Sequence, residues 1–108
     1  MIRYNQKQLL AAKHKIEEVR KYVEHQDANL SSLQMLYNPH QPETLFLKVE
    51  TYGIEAGEPF NRIEYFCFDD KGEISNCDLM FDTFNARMTF IGDFKPIEIV
   101  GGKVKMTY

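Results

Sequence analysis

The chain has 108 residues, of which 44% are hydrophobic and 27% are charged, and its formal net charge is −3. These values are typical of one globular domain covering residues 1–108, and they exclude a disordered tail protein. No apolar run approaches the roughly 20 residues that a membrane span needs. Near the amino terminus, Arg3, Lys7 and Lys13 interrupt any stretch that would serve as the apolar region of a signal peptide. We therefore expect a cytoplasmic protein that has no membrane partner.

The charges are unevenly distributed along the chain. Residues 1–26 carry six Lys and Arg against three Glu, whereas residues 27–108 carry seven Lys and Arg against thirteen Asp and Glu. A nucleic-acid-binding domain usually combines a basic stripe with interleaved aromatic residues. Here most aromatic residues lie in the acidic part of the chain. The distribution argues against nucleic acid and favours a protein partner with a basic surface.

A long helix is predicted at the start of the chain. Asn5 is a good N-cap, and Gln8, three residues later, completes a capping box. Apolar residues then recur at spacings of three and four, namely Leu9, Ala12, Ile16, Val19 and Val23. This pattern is typical of a helix with one buried face, and it runs to about His25.

A short second helix is predicted next, with Asp27 as its N-cap. The apolar residues of this segment are Leu30, Leu33, Leu36 and Tyr37, which again favour a helical repeat. The pair Asn38-Pro39 ends the helix, because the residue before a proline is pushed out of the helical region.

Alternation predicts a strand over Leu45–Tyr52, with Leu45, Leu47 and Val49 facing inward. The following stretch, Gly53–Phe60, contains two glycines and a proline and is predicted to be a loop. Loops on a rigid sheet often carry binding residues. A plain hairpin connection without a binding function is nevertheless the favoured interpretation of this stretch.

The stretch Arg62–Leu79 is predicted to be a central hairpin covered on both sides, because both of its faces carry large apolar side chains. Its turn ends at Gly72, which takes positive φ without steric cost. That turn fixes the register of the cross-strand pairs. The predicted pairs are Asp69 with Glu73, Phe68 with Ile74, Cys67 with Ser75, Phe66 with Asn76, Tyr65 with Cys77, and Ile63 with Leu79.

Two structures are open for the segment after Leu79. Either Met80–Phe84 continues the strand and Arg87–Ile91 forms the next one, or a short helix begins at a cap on Asp82. The chain then ends in a hairpin around Gly101-Gly102. Its predicted pairs join apolar residues on one face and opposite charges on the other, namely Ile97 with Met106, Ile99 with Val104, and Glu98 with Lys105.

These elements together predict an α+β fold. An N-terminal long helix plus a short helix pack on a five- or six-stranded antiparallel meander sheet.

The sequence contains no recognisable catalytic or metal-binding motif. His14 and Glu18 have the spacing of metal ligands, but Lys21 lies on the same helical face and would repel a cation. Cys67 and Cys77 are diagonal in the predicted hairpin, too far apart for a disulfide, and we expect both to be buried thiols. We therefore expect no catalytic residue, no metal and no other cofactor.

A helix pair followed by a curved sheet, together with the segment FCFDDKGEI at residues 66–74, resembles the NTF2-like superfamily. The resemblance covers a minority of the chain, and the short helical part and the final hairpin depart from the family pattern. It implies an apolar pocket for a small ligand, and in an enzyme an active site built from scattered Asp, His and Tyr.

The leading hypothesis is a small acidic non-enzymatic protein that binds and inhibits or neutralises a macromolecular partner, as immunity and inhibitor proteins do. Its basis is an acidic, aromatic-rich sheet without a catalytic motif. The alternative is an NTF2-like pocket protein or small enzyme that acts on a small apolar ligand, and a homodimer through the sheet is a third hypothesis. The expected partner-binding residues are Tyr52, Phe60, Phe68, Asp69, Asp70 and Glu73.

Overall fold

The computed structural model describes residues 4–76, 83–100 and 103–106. In chain order the elements are α1 (Gln6–His25), β1 (Ala28–Tyr37), β2 (Leu45–Glu55), β3 (Glu58–Phe68), β4 (Ile74–Asn76), α2 (Phe84–Gly92), β5 (Lys95–Val100) and β6 (Lys103–Met106). The α+β class is confirmed, with one long amino-terminal helix, one short helix and an antiparallel sheet.

The strands form one sheet in the order β4-β3-β2-β1-β5-β6. Every neighbouring pair in it is antiparallel. The first four strands are a meander, and β5 adds to the free side of β1. The prediction of a central hairpin at Arg62–Leu79 is wrong in its position, because β4 lies at one edge and the middle of the sheet is formed by β2 and β1.

Helix α1 begins and ends where the sequence predicts. The Asn5 side-chain oxygen accepts a hydrogen bond from the Gln8 backbone N–H at 2.9 Å, and Gln8 Oε1 accepts one from the Asn5 N–H at 3.1 Å. The Gln8 side-chain amide also donates to the carbonyl oxygens of Glu43 at 2.7 Å and Phe68 at 3.0 Å. Gln8 therefore connects the start of α1 to the loop before β2 and to the end of β3.

The second predicted helix is wrong, because that segment forms strand β1. A β-bulge between Leu30 and Ser32 inserts one extra residue into the pairing with β2. The partners of Leu30 and Leu33 on β2, Thr51 and Val49, are two residues apart. Leu30 and Leu33 consequently lie on the same face of the sheet despite their odd spacing. The bulge thus produces a spacing of three that resembles a helical repeat.

The predicted registers of both hairpins are confirmed where they are described. In the β3–β4 hairpin the observed pairs are Phe68 with Ile74, Cys67 with Ser75 and Phe66 with Asn76. The turn has Gly72 at φ 79°, and the Asp69 N–H donates to the Glu73 carbonyl oxygen at 3.1 Å. In the β5–β6 hairpin the pairs are Ile97 with Met106, Ile99 with Val104 and Glu98 with Lys105. The predicted pairs with Cys77 and Leu79 lie outside the described residues.

The short helix of the fold is α2, which confirms the second of the two alternatives for this segment. Its N-cap is Thr83 and not Asp82, because the Thr83 hydroxyl accepts a hydrogen bond from a first-turn backbone N–H at 3.1 Å. The alternative of a strand over Arg87–Ile91 is wrong. The fully buried Asn38 side chain donates to the Phe90 carbonyl oxygen at 2.8 Å, so the loop after β1 holds α2 in place.

The face of the sheet that α1 covers is called the helix face. Ala12 and Val19 of α1 are buried in one cluster with Leu45, Leu47 and Val49 of β2. The predicted inward orientation of these three strand residues is therefore confirmed. Burying aliphatic side chains from both elements contributes about 25 cal/mol per Å² of apolar surface, which is the main force that holds α1 on the sheet.

The opposite face is called the outer face, and among the described helices only α2 packs on it, at one end. Phe46 is fully buried there, with its ring centre 5.5 Å from that of Phe90 and 5.0 Å from that of Phe94. Strands β2 and β3 extend beyond this cluster, and their residues become more exposed toward the turn that joins them. In the described part of the chain, no helix therefore covers the outer face at the turn end of the β2–β3 hairpin.

The favoured interpretation of Gly53–Phe60 as a plain hairpin connection is confirmed, but the predicted extent of the loop is wrong. Strand β2 continues to Glu55 and β3 begins at Glu58, so only two residues form the turn. Both have positive φ, 52° at Ala56 and 82° at Gly57, as a type I′ turn requires. Alanine is strained there because its Cβ crowds the backbone in the left-handed region.

Replacing Ala56 by asparagine is expected to raise the free energy of unfolding by about 0.5–1 kcal/mol, because asparagine tolerates positive φ. Thermal unfolding followed by circular dichroism measures the change. Gly57→Ala is the control, since no atom lies within 4 Å of the added Cβ. That variant should lose about 1 kcal/mol from backbone strain alone. A lower stability of Ala56→Asn would contradict the assignment of the turn.

Candidate functional site

The six residues predicted to bind a partner lie in three separate places. Tyr52 and Phe60 are near the turn end of the β2–β3 hairpin, whereas the acidic residues are in the β3–β4 turn at the opposite end of β3. Eight strand positions separate Phe60 from Phe68, a distance of about 26 Å at 3.3 Å per residue. Phe68 is fully buried in the core under α1 and has no surface to offer a partner.

Asp69 has a structural function in the β3–β4 turn. One of its carboxylate oxygens accepts hydrogen bonds from the Lys71 and Glu73 backbone N–H groups, both at 2.9 Å. The Asp70 carbonyl oxygen accepts a hydrogen bond from the Asn5 side-chain amide at 2.6 Å, which ties this turn to the cap of α1. The side chains of Asp70 and Glu73 are exposed. Of the three acidic residues, these two are thus the ones whose side chains are free of the turn's own hydrogen bonds.

The uncovered part of the outer face carries three large apolar side chains, Tyr52, Ile54 and Ile63, which we call the distal patch. Their exposed fractions are 48%, 52% and 46%. Tyr52 and Ile54 are two positions apart on β2, and Ile63 faces Glu50, which makes it the diagonal neighbour of Tyr52. Diagonal neighbours are about 7–8 Å apart, within reach of an aromatic side chain. The three residues therefore form one continuous strip.

No family model, curated protein or solved structure matches this chain.

The sequence singled out Tyr52 but not Ile54 and Ile63 as binding residues. Ile54 lies in the stretch predicted to be a loop, so its position on a strand is not predicted. Ile63 lies in a hairpin predicted to be covered on both faces, so its exposure is not predicted. Alternation along β3 puts Ile63 and Tyr65 on one face, but only the position of α2 decides which of them is covered. Tyr65 stacks on Phe94 at 5.3 Å between ring centres, whereas Ile63 lies beyond the cluster.

A cleft of about 220 Å³ lies on the helix face, between α1 and the turn-end half of the β2–β3 hairpin. Its lining residues are Lys15, Glu18, Val19, Tyr22, Val49, Thr51, Arg62, Glu64 and Phe66. Neither Asp nor His is among them. Drug-sized ligands occupy cavities of roughly 300–1,000 Å³, so this cleft suits a smaller group.

Both basic residues of the cleft already have partners. Lys15 Nζ is 3.4 Å from Glu18 Oε1 and 4.4 Å from the Phe66 ring centre. Arg62 Nη2 is 3.0 Å from Glu55 Oε2. The hydrogen bond with Glu55 raises the pKa of Arg62 above its ordinary value, with a smaller contribution from the nearby Tyr22 side chain. The guanidinium is consequently a fixed positive charge at the end of the cleft.

The described part of the chain gives no support for a metal site or for a membrane-spanning helix. Among residues 4–76, 83–100 and 103–106, no three His, Cys, Asp or Glu side chains are grouped so that they could hold a metal ion. The described helices include none with the length and apolar character needed to cross a bilayer. Cys67 is buried in the cluster under α2, and its relation to Cys77 lies outside the described residues.

Proposed function

We propose that this protein is a non-enzymatic binding protein that inhibits or neutralises a protein partner, and that the distal patch is its central contact. The observation that carries the proposal is the continuous exposed strip of Tyr52, Ile54 and Ile63 on a rigid sheet. Aromatic and aliphatic side chains that are exposed together, with polar residues around them, are typical of protein-binding surfaces. Strand residues also lose little conformational entropy on binding, which favours affinity.

The charge of the hairpin favours a basic partner. Residues 48–65 carry four Glu against one Lys and one Arg, which leaves a net charge of −2. Two copies of this chain would bring equal charges together at this surface, so self-association is disfavoured. The acidic side chains Asp70 and Glu73 lie at the other end of the molecule, and we assign them a long-range role in attracting the partner.

The alternative, a pocket protein or small enzyme for an apolar ligand, is not favoured by the cleft on the helix face. That cleft is small and is lined by four charged side chains, whereas the alternative requires an apolar cavity with a dry Asp or His.

The test begins with isolation of the partner from the native host on immobilised protein, followed by titration of the two purified proteins. Replacing Ile63 by lysine should weaken the complex about 30-fold or more, as loss of a central interface residue does. Leu10→Lys is the matched control, since Leu10 is 53% exposed but lies on α1. It should bind like the wild type. Equal affinity of Ile63→Lys and wild type, or loss of binding in Leu10→Lys alone, would overturn the patch assignment.

Two further measurements test the role of charge in binding and the possibility of self-association. The association rate should fall with rising salt concentration and in the Asp70→Lys variant, whereas the dissociation rate should change little, because exposed charges act on encounter. Light scattering of the purified protein measures the oligomeric state. A dimer that Ile63→Lys converts to a monomer would assign the patch to self-association and reject the basic partner.

A further inference from the structure

We infer that the cleft on the helix face binds a primary ammonium or guanidinium group on a short aliphatic chain. This inference is independent of the proposed function, because the cleft and the distal patch lie on opposite faces of the sheet. Three observations support it. They are the size of the cleft, the carboxylates beside Lys15 and Arg62, and the lack of a partner for the Glu64 carboxylate among the described residues.

The size and the floor of the cleft suit a short aliphatic chain. Val49 and Thr51, at the floor, are 2% and 3% exposed, and Val19 of α1 lines one side. The volume of about 220 Å³ equals that of roughly seven water molecules at 30 Å³ each. A chain of four carbons with a polar head fills such a space, and the valine side chains provide apolar contact for it.

The charges of the two basic residues in the cleft are already partly neutralised by neighbouring carboxylates. The Lys15 ammonium lies between Glu18 and the Phe66 ring, and the Arg62 guanidinium lies between Glu55 and the Phe60 ring, 5.0 Å from its centre. Each cation thus has both a carboxylate and an aromatic face to stabilise it. An anion would therefore approach each cation beside a carboxylate that repels it.

Glu64 is the remaining charged residue of the cleft, and it lies on β3 between Arg62 and Phe66, on the same face of the strand. It pairs across the sheet with Val49 and is half-buried. Among the described residues, none forms an ion pair or hydrogen bond with its carboxylate. A carboxylate that has lost part of its water without gaining a donor favours a cationic ligand. Counting Glu55, the site has three negative and two positive charges, so its net charge also favours a cation.

The experiment is a titration of ¹⁵N-labelled full-length protein with n-butylammonium chloride, followed by amide chemical shifts at constant ionic strength. Sodium butyrate and n-butanol are the matched probes with opposite and no charge. We expect saturable shifts in α1 and β3 next to the cleft with butylammonium alone, with a dissociation constant on the order of 1 mM for a ligand of this size. Equal shifts with butyrate or butanol would overturn the inference.

Two substitutions of Glu64 test its role. Glu64→Gln keeps the shape and removes the charge, and should weaken butylammonium binding about tenfold, which corresponds to one charge-assisted hydrogen bond. Glu64→Asp keeps the charge and should bind with intermediate affinity. If one of the two variants does not fold, the other still tests the role of the carboxylate. Glu73→Gln, in the distant β3–β4 turn, is the control. Unchanged affinity in both Glu64 variants would show that the site is wrong.

A capped lysine, Nα-acetyl-lysine methylamide, distinguishes the two sources of such a ligand. If it binds as tightly as butylammonium, the cleft admits the side chain of a protein partner. If butylammonium binds and the capped lysine does not, the ligand is a free small amine. Both results retain the inferred chemistry, whereas the inference is rejected if neither probe binds.

Discussion

Replacing Gln8 by alanine should lower the free energy of unfolding by about 3 kcal/mol, because several buried or half-buried backbone groups lose their partner at once. Gln8 is 2% exposed, and its side chain makes three hydrogen bonds. It accepts from the Asn5 N–H and donates to the carbonyl oxygens of Glu43 and Phe68. The large effect is unusual for a glutamine, a residue type that is mostly exposed in proteins.

The geometry makes Gln8 difficult to replace even by similar residues. Glutamate has the same shape, but both of its oxygens are acceptors, so it would face the two carbonyl oxygens without a hydrogen to donate. We expect Gln8→Glu to be at least as destabilising as Gln8→Ala at neutral pH. The loss of stability should affect three parts of the fold, because the Gln8 side chain connects α1 to the loop before β2 and to the end of β3.

Thermal and denaturant unfolding followed by far-UV circular dichroism measure the change. A loss of about 3 kcal/mol lowers the melting temperature of a domain of this size by roughly 10–20 °C. Gln6→Ala is the control, since Gln6 is exposed in the same turn of α1. A Gln8→Ala variant that melts within a few degrees of wild type would contradict the hydrogen-bond assignment.

Replacing Phe46 by alanine should cost about 3–5 kcal/mol, the range for deletion of a buried aromatic side chain. Phe46 is fully buried on the outer face and makes edge-to-face contacts with Phe90 and Phe94. The consequence should be local as well as global, because these contacts are the base on which α2 packs. We expect α2 to separate from the sheet while α1 stays packed on the other face.

Hydrogen exchange distinguishes the local separation of α2 from a uniform loss of stability. In Phe46→Ala, amides of α2 should exchange much faster than in the wild type, and amides of α1 should change less. Phe46→Leu keeps most of the buried volume and should lose less than half as much stability. Phe60→Ala, a half-exposed aromatic of β3, is the second control. Equal acceleration in α1 and α2 would contradict separate packing of the two helices.

The parts of the fold that the sequence predicts correctly depend on neighbours along the chain. The capping box of Asn5 and Gln8 joins residues three positions apart, and the register of the β3–β4 hairpin is fixed by the positive φ of Gly72. In such cases the interacting groups are close in sequence, so bringing them together has a small cost in chain entropy. The burial of the side chain of Gln8 was not predicted, since its carbonyl partners are 35 and 60 positions away.

The wrong helix at β1 shows how tertiary structure overrides a local pattern. Leu30 and Leu33 recur at a helical spacing, but the bulge between Leu30 and Ser32 puts them on one face of a strand. The bulge arises only in the pairing with β2, so the segment itself contains no sign of it. Burial between β2 and β5 in the middle of the sheet outweighs the weak intrinsic preference of ten residues for a helix.

The class of the fold, the extent of α1 and the registers of two hairpins can be predicted from the sequence, because each follows from local periodicity, caps and turn residues. The burial of Leu45, Leu47 and Val49 also follows from local alternation, but the burial of apolar residues in β3 depends on the packing of the helices. Phe68 and Ile63 are both apolar residues of β3, yet α1 covers Phe68 while α2 ends before Ile63. Coverage depends on where helices distant in sequence pack, and this decides which apolar side chains remain available to a partner.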